Sequence, residues 1–160
     1  MKSIKLALIL VCSSMGGVAV HAEQASPNSP DNMVAMFAVS GRCEFLMIAD
    51  EERPCKGNVI NTEYDFGRTG FYFIENDPDG IIVSFSGMGQ DQISPSENIR
   101  LQPLDSIFID GAGLAAVGFC TFENPFVGPA RIECSAYLEN GELYSGFFAS
   151  DGSKPMNMLE

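Results

Sequence analysis

The chain has 160 residues, 21 acidic against nine basic, a net charge of −12, five cysteines, one histidine and no tryptophan. Such a charge excludes nucleic acid and anionic membrane surfaces as partners, because the long-range field repels both. It leaves a cationic protein or peptide as a possible partner, with solubility alone as the plainer explanation.

Residues 1–22 have the three parts of a secretory signal peptide. Lys2 and Lys5 open it, Leu6 to Val11 is an unbroken apolar run, and Val20-His21-Ala22 supplies small residues for cleavage after Ala22. The apolar run is far short of the roughly 20 residues that cross a bilayer as a helix, so no integral membrane segment is expected after cleavage. Cys12 does not read as a lipid attachment point, because Ile9-Leu10-Val11 lacks the small residues that modification requires. The expectation is an exported protein, periplasmic or extracellular. Cleavage removes the only histidine and two lysines, leaving seven basic residues against 21 acidic ones, a charge of −14.

Four cysteines then remain: Cys43, Cys55, Cys120 and Cys134. An even number in an exported chain points to disulfides. Of the three possible pairings, Cys43–Cys55 with Cys120–Cys134 is expected, since each pair brackets what reads as one hairpin. A zinc site needs closer pairs than these.

Residues 23–32, EQASPNSPDN, read as a flexible polar leader. Ser29-Pro30-Asp31 offers an alternative, a cap for a short helix through Met33–Ala38. From there short runs rich in Phe, Ile, Val and Tyr alternate with Gly, Pro, Asn and Asp: FAVS, EFLMI, GNVIN, GFYFIE, IIVSFSG, SIFID, LAAVGFCTF, ARIECSAYLE and ELYSGFFAS. The pattern predicts an all-β fold, a small antiparallel sandwich or barrel of about eight to ten short strands. Residues 33–152 form its single domain, and 153–160 a C-terminal tail.

Asn140-Gly141 predicts a two-residue type I′ hairpin. That register pairs Leu138 with Leu143, Ala136 with Ser145 and Cys134 with Phe147. It turns Ile132, Cys134, Ala136, Leu138, Leu143, Phe147 and Ala149 inward, and Tyr137 and Tyr144 outward.

GRCEF at 41–45 and GFCTF at 118–122 repeat one phrase, each followed by a second cysteine and a Gly-Phe-aromatic strand. If this is a duplication, the domain consists of two related halves. The glycine leaves room for a neighbouring backbone. The phenylalanine two places after the cysteine shares its face and covers the sulfur.

The chemistry open to such a chain is narrow. Without histidine there is no Ser-His-Asp or Cys-His set, so no catalytic residues are assigned and no cofactor is expected. Glu51-Glu52 reads as a solvated turn rather than an acid–base pair. Glu75, Asp77 and Asp79, with Gly80, match part of a calcium loop, but Ser86 stands where its closing glutamate belongs; a tight Asp-Pro-Asp-Gly turn explains the same residues. Met33-x-x-Met36 and Met156-x-Met158 have the softness that suits Cu(I), yet read as core and tail methionines.

Met88 and Gln90, on a glycine-rich loop, join Tyr137, Tyr144 and Phe148 as the candidate binding surface. The function expected is a non-enzymatic binding or envelope-accessory module. One alternative is an inhibitor of a basic enzyme, since the general description is similar to that of periplasmic lysozyme inhibitors, without their motifs. The other is a carboxylate-dependent hydrolase.

Overall fold

A computed structural model describes residues 33–160; the expected signal peptide, 1–22, and polar leader, 23–32, lie outside them. Ten antiparallel strands follow in order: β1 Met33–Ile48, β2 Glu51–Arg53, β3 Asn58–Tyr64, β4 Arg68–Ile74, β5 Ile82–Met88, β6 Ile99–Ile109, β7 Ala112–Glu123, β8 Arg131–Leu138, β9 Leu143–Ser150 and β10 Met156–Asn157. The segment offered as a helix, Met33–Ala38, is the start of β1.

Eight of the strands close an antiparallel barrel, with β2 and β10 added on β1. Closure depends on the length of β1. Its first half, Met33 to Ser40, pairs with β3, and its second, Gly41 to Met47, pairs with β9. Every barrel strand thus finds two neighbours and no open edge remains among them.

Inward positions fill with apolar side chains. Phe73, Phe85, Phe148, Leu46, Ile107, Val59 and Val83 are fully buried. Burying each such side chain contributes roughly 1.5–3 kcal/mol. The outer surface carries Arg68, Asp105 and Glu133 beside exposed Val117, Phe119 and Tyr137.

Both disulfides join the expected partners, Cys43–Cys55 and Cys120–Cys134. Cys120 and Cys134 stand directly opposite on β7 and β8, their Cα atoms 4.0 Å apart, sealed in the core. Cys43 and Cys55, 5.8 Å apart, are half-buried against it.

The glycines of the repeated phrase have a steric purpose. A Cβ on Gly118 would stand 2.6 Å from the Ala136 Cα, and one on Gly41 2.6 Å from the Ser150 Cα. The phenylalanines differ. Phe122 stays inside and packs on Phe71, ring centres 4.9 Å apart. In the first copy the register shifts between Cys43 and Phe45. This bulge turns Phe45 away from the cysteine's face and sets it beside Phe147, at 6.1 Å.

The Asn140-Gly141 hairpin also departs from expectation. Gly141 donates to Leu138, and Leu138 to Glu142, so the loop has three residues, with Gly141 at φ +90°. That is a type I turn ending in a glycine bulge. Tyr137 therefore pairs with Leu143, Ala136 with Tyr144 and Cys134 with Gly146. The shift by one residue reverses the faces of β9. Tyr144 and Phe148 turn into the core, while Leu143, Phe147 and Ala149 turn out of it. Two-residue turns with positive φ occur elsewhere, at Ala49-Asp50 and Asp110-Gly111.

Candidate ligand-binding site

The core fills only part of the barrel. At the end where β3, β5, β7 and β9 finish, a cavity of about 660 Å³ opens to solvent. Its walls are the inward residues nearest that mouth: Phe37 and Val39 from β1, Phe71 from β4, Phe122 from β7 and Ile132 from β8. Small-ligand sites have this size and combine apolar walls with placed polar groups. An eight-stranded barrel is just wide enough to hold one small ligand.

Three polar features stand in the apolar wall. Asn61 on β3 is tied by its side-chain amide to the Gly70 carbonyl at 3.1 Å. Arg100 sits on β6, two residues toward the mouth from the buried Gln102. Its Nη1 donates to the backbone carbonyls of Ser96, Glu97 and Ile99 at 3.3–3.4 Å. Among the described residues Arg100 joins no ion pair, whereas Arg42, Arg53 and Arg68 each hold a carboxylate. The rim carries two carboxylates, Glu97 and Glu123, and one oxygen of Glu123 accepts the Arg131 backbone N–H at 2.9 Å.

The loop between β7 and β8 borders the mouth. Its Phe126 lies edge-on to Phe37, ring centres 5.1 Å apart, and still leaves half its surface in water. Asn124 shapes the turn, its side-chain oxygen accepting the Phe126 N–H at 3.0 Å.

Below the cavity Gln102 is buried and fully engaged. It donates to the Met88 and Pro103 carbonyls at 2.8 Å and accepts the Thr69 hydroxyl at 3.1 Å. A buried amide satisfied in this way fixes β4, β5 and β6 against one another beneath the site.

The residues proposed from sequence scatter. Met88 and Gln90 are at the mouth end but do not line the cavity; Glu97 and Asn98, later in the same loop, do. Tyr144 and Phe148, expected on an exposed surface, are core residues. Tyr137 is exposed, opposite exposed Val117 and near exposed Phe119, on the outer face of β7 and β8. Glu51 and Glu52 lie on β2, away from the barrel mouth; Glu51 is bound to Arg53, and Glu52 lines a shallow surface depression beside the Cys43–Cys55 bridge.

Glu75 and Asp77 are occupied by their own turn, to which Asp79 contributes its backbone N–H. Glu75 accepts the Ile81 N–H at 3.1 Å and faces Arg53, and Asp77 accepts the Asp79 N–H at 3.1 Å. Among the described residues no cluster of three His, Cys, Asp or Glu side chains is placed to hold a metal.

Sequence reasoning missed the cavity because its walls come from runs far apart in the chain. Arg100 had a local signal, an arginine two places from Gln102 on a single strand face. Pro103 obscured it by breaking the strand pattern.

No family profile, curated protein or solved structure matches the chain at a significant level.

Proposed function

We propose that this is an exported binding protein that holds one amphipathic small molecule in the mouth of its barrel. The observation that carries the reading is the combination of a cavity of about 660 Å³, its walls part apolar and part polar, with Arg100, which has no carboxylate partner among the described residues. The apolar body of the ligand lies on Val39, Phe71, Phe122 and Ile132, and its acceptor end meets the guanidinium. Two intramolecular disulfides fit an oxidising compartment, and the first 22 residues supply the export signal.

The test exploits the absence of tryptophan from the chain. A Phe126→Trp variant carries a single reporter at the cavity rim. Titration with decanoate shifts its emission to the blue and saturates at one ligand per chain. Adding Arg100→Ala weakens decanoate about tenfold and leaves decanol nearly unchanged, because only the carboxylate loses a charged hydrogen bond. No emission change with either compound overturns the reading.

The rim carboxylates support a second reading, in which Glu97 and Glu123 hydrolyse a bound ligand. It requires turnover that Glu123→Gln abolishes while binding persists.

A further inference from the structure

The two methionine pairs of the sequence, more than a hundred residues apart, meet on the barrel surface. β10 pairs with β1 so that Ala38 opposes Met156 and Phe37 opposes Asn157. The ladder runs one step further, with the Met158 N–H donating to the Met36 carbonyl at 2.8 Å. Met36 and Met158 are therefore cross-strand neighbours. Opposed residues share a face, with Cβ atoms about 4.5–5.5 Å apart. Met156 lies on the same face, two residues along β10.

Met33 joins them through a bulge. In a regular strand, residues 33 and 36 point to opposite faces. Here the register shifts between Met33 and Ala35, so that Met36 opposes Thr62 while Met33 opposes Tyr64. Thr62 and Tyr64 are two apart on β3 and share a face. The extra residue, Val34, is exposed and returns Met33 to the side of Met36.

Four of the six methionines in the described residues thus occupy one face of adjoining strands. Packing explains part of this. Met33 and Met36 are half-buried over Thr62 and Tyr64, which are 1% and 3% exposed. It does not explain Met156 and Met158, which leave 65% and 45% of their surface exposed among the described residues, on a two-residue strand.

We infer that Met33, Met36 and Met158, with Met156 at its edge, form a thioether site for a soft monovalent cation, Cu(I). Thioethers favour Cu(I) over harder ions. They carry no charge, so the site gives a divalent ion no neutralising ligand. They do not titrate, so binding needs no proton release. The acidic chain as a whole attracts the cation.

The purified, oxidised protein is titrated with Ag(I), a redox-inert ion of similar softness, with Zn(II) as control. The methionine methyl resonances are followed by NMR. One Ag(I) per chain should move the methyl signals of Met33, Met36 and Met158 together and leave those of Met47 and Met88 in place, while Zn(II) moves none. Met36→Leu with Met158→Leu should weaken Ag(I) at least tenfold, since even a lost outer-shell partner costs about 10–100-fold. Leucine conserves volume, and the variant should keep the wild-type circular dichroism spectrum. Ag(I) binding that persists unchanged in this variant, or methyl shifts confined to Met47 and Met88, overturns the site.

Discussion

Arg68 on β4 reaches across β5 to Asp105 on β6 and donates to both carboxylate oxygens, at 2.7 and 2.9 Å. Asp105 follows the buried Leu104 on β6, and strand alternation turns it to the outer face. The same guanidinium touches the Ser86 hydroxyl on β5, so one side chain ties three strands.

The pair makes stability depend on pH. Hydrogen bonding from Arg68 holds the Asp105 carboxyl below its ordinary value, against a smaller opposing effect of burial. A depressed folded value contributes stability that is present above the unfolded pKa of about 3.9 and lost as pH falls through the folded one. Because the Asp105 side chain is half exposed, the contribution is no more than about 1 kcal/mol. Asp105→Asn should lower the urea midpoint at pH 7, and the gap from wild type should close at pH 2.

Alkaline unfolding should follow the buried phenols. Burial, and then the Tyr72 hydroxyl 3.0 Å away, raise Tyr64 well above the ordinary tyrosine range. Burial, then Glu142 and Asp50, raise Tyr144. A raised folded value gives stability that is complete below the unfolded pKa of about 10 and is lost as pH rises toward the folded one. In an ultraviolet titration, two of the four tyrosines should ionise only as the barrel unfolds. Tyr144→Phe, which removes one such group, should move the alkaline transition to higher pH.

Backbone positions give two opposite expectations. Gly118→Ala drives a Cβ into the Ser135 carbonyl and to 2.6 Å from the Ala136 Cα. It should cost more than about 2 kcal/mol, comparable to overpacking a core. Ala49 sits at φ +51° in a two-residue turn. Ala49→Gly should stabilise by up to about 1 kcal/mol, because glycine adopts that conformation without the Cβ clash. Denaturant midpoints of the two variants decide both.

The disulfides should differ in cost. Each closes a loop of similar length, with sequence separations of 12 and 14, so the chain-entropy contribution is about 3 kcal/mol for both. Cys120 and Cys134 are also fully buried, so Cys120→Ala with Cys134→Ala leaves a cavity as well. That double variant should lose more stability than Cys43→Ala with Cys55→Ala.

Much of the fold is legible in single stretches of sequence. The turn residues between aromatic runs mark most strands, and the cysteine spacing marks both bridges, because each pair is local. What is hidden depends on more than one stretch. Asn140-Gly141 suits a two-residue turn and also a three-residue loop with a glycine bulge. The choice between them moved Tyr144 and Phe148 from the surface to the core. The early half of β6 was masked by Pro103, and with it Arg100. Phe37, Phe71, Phe122 and Ile132 each read as ordinary core residues; only barrel closure leaves them around a space they do not fill. The methionine pairs were visible, but the Val34 bulge and the β10 pairing that unite them were not.

Calorimetric titration of decanoate into the oxidised protein and into a Val39→Trp variant tests the binding role most directly. Val39 lines the cavity wall, and an indole there occupies much of the ligand's space. One site per chain with a negative heat-capacity change is expected in the wild type, and none in a variant that still melts cooperatively. Equal binding by both proteins, or no binding by either, contradicts a ligand in the barrel mouth.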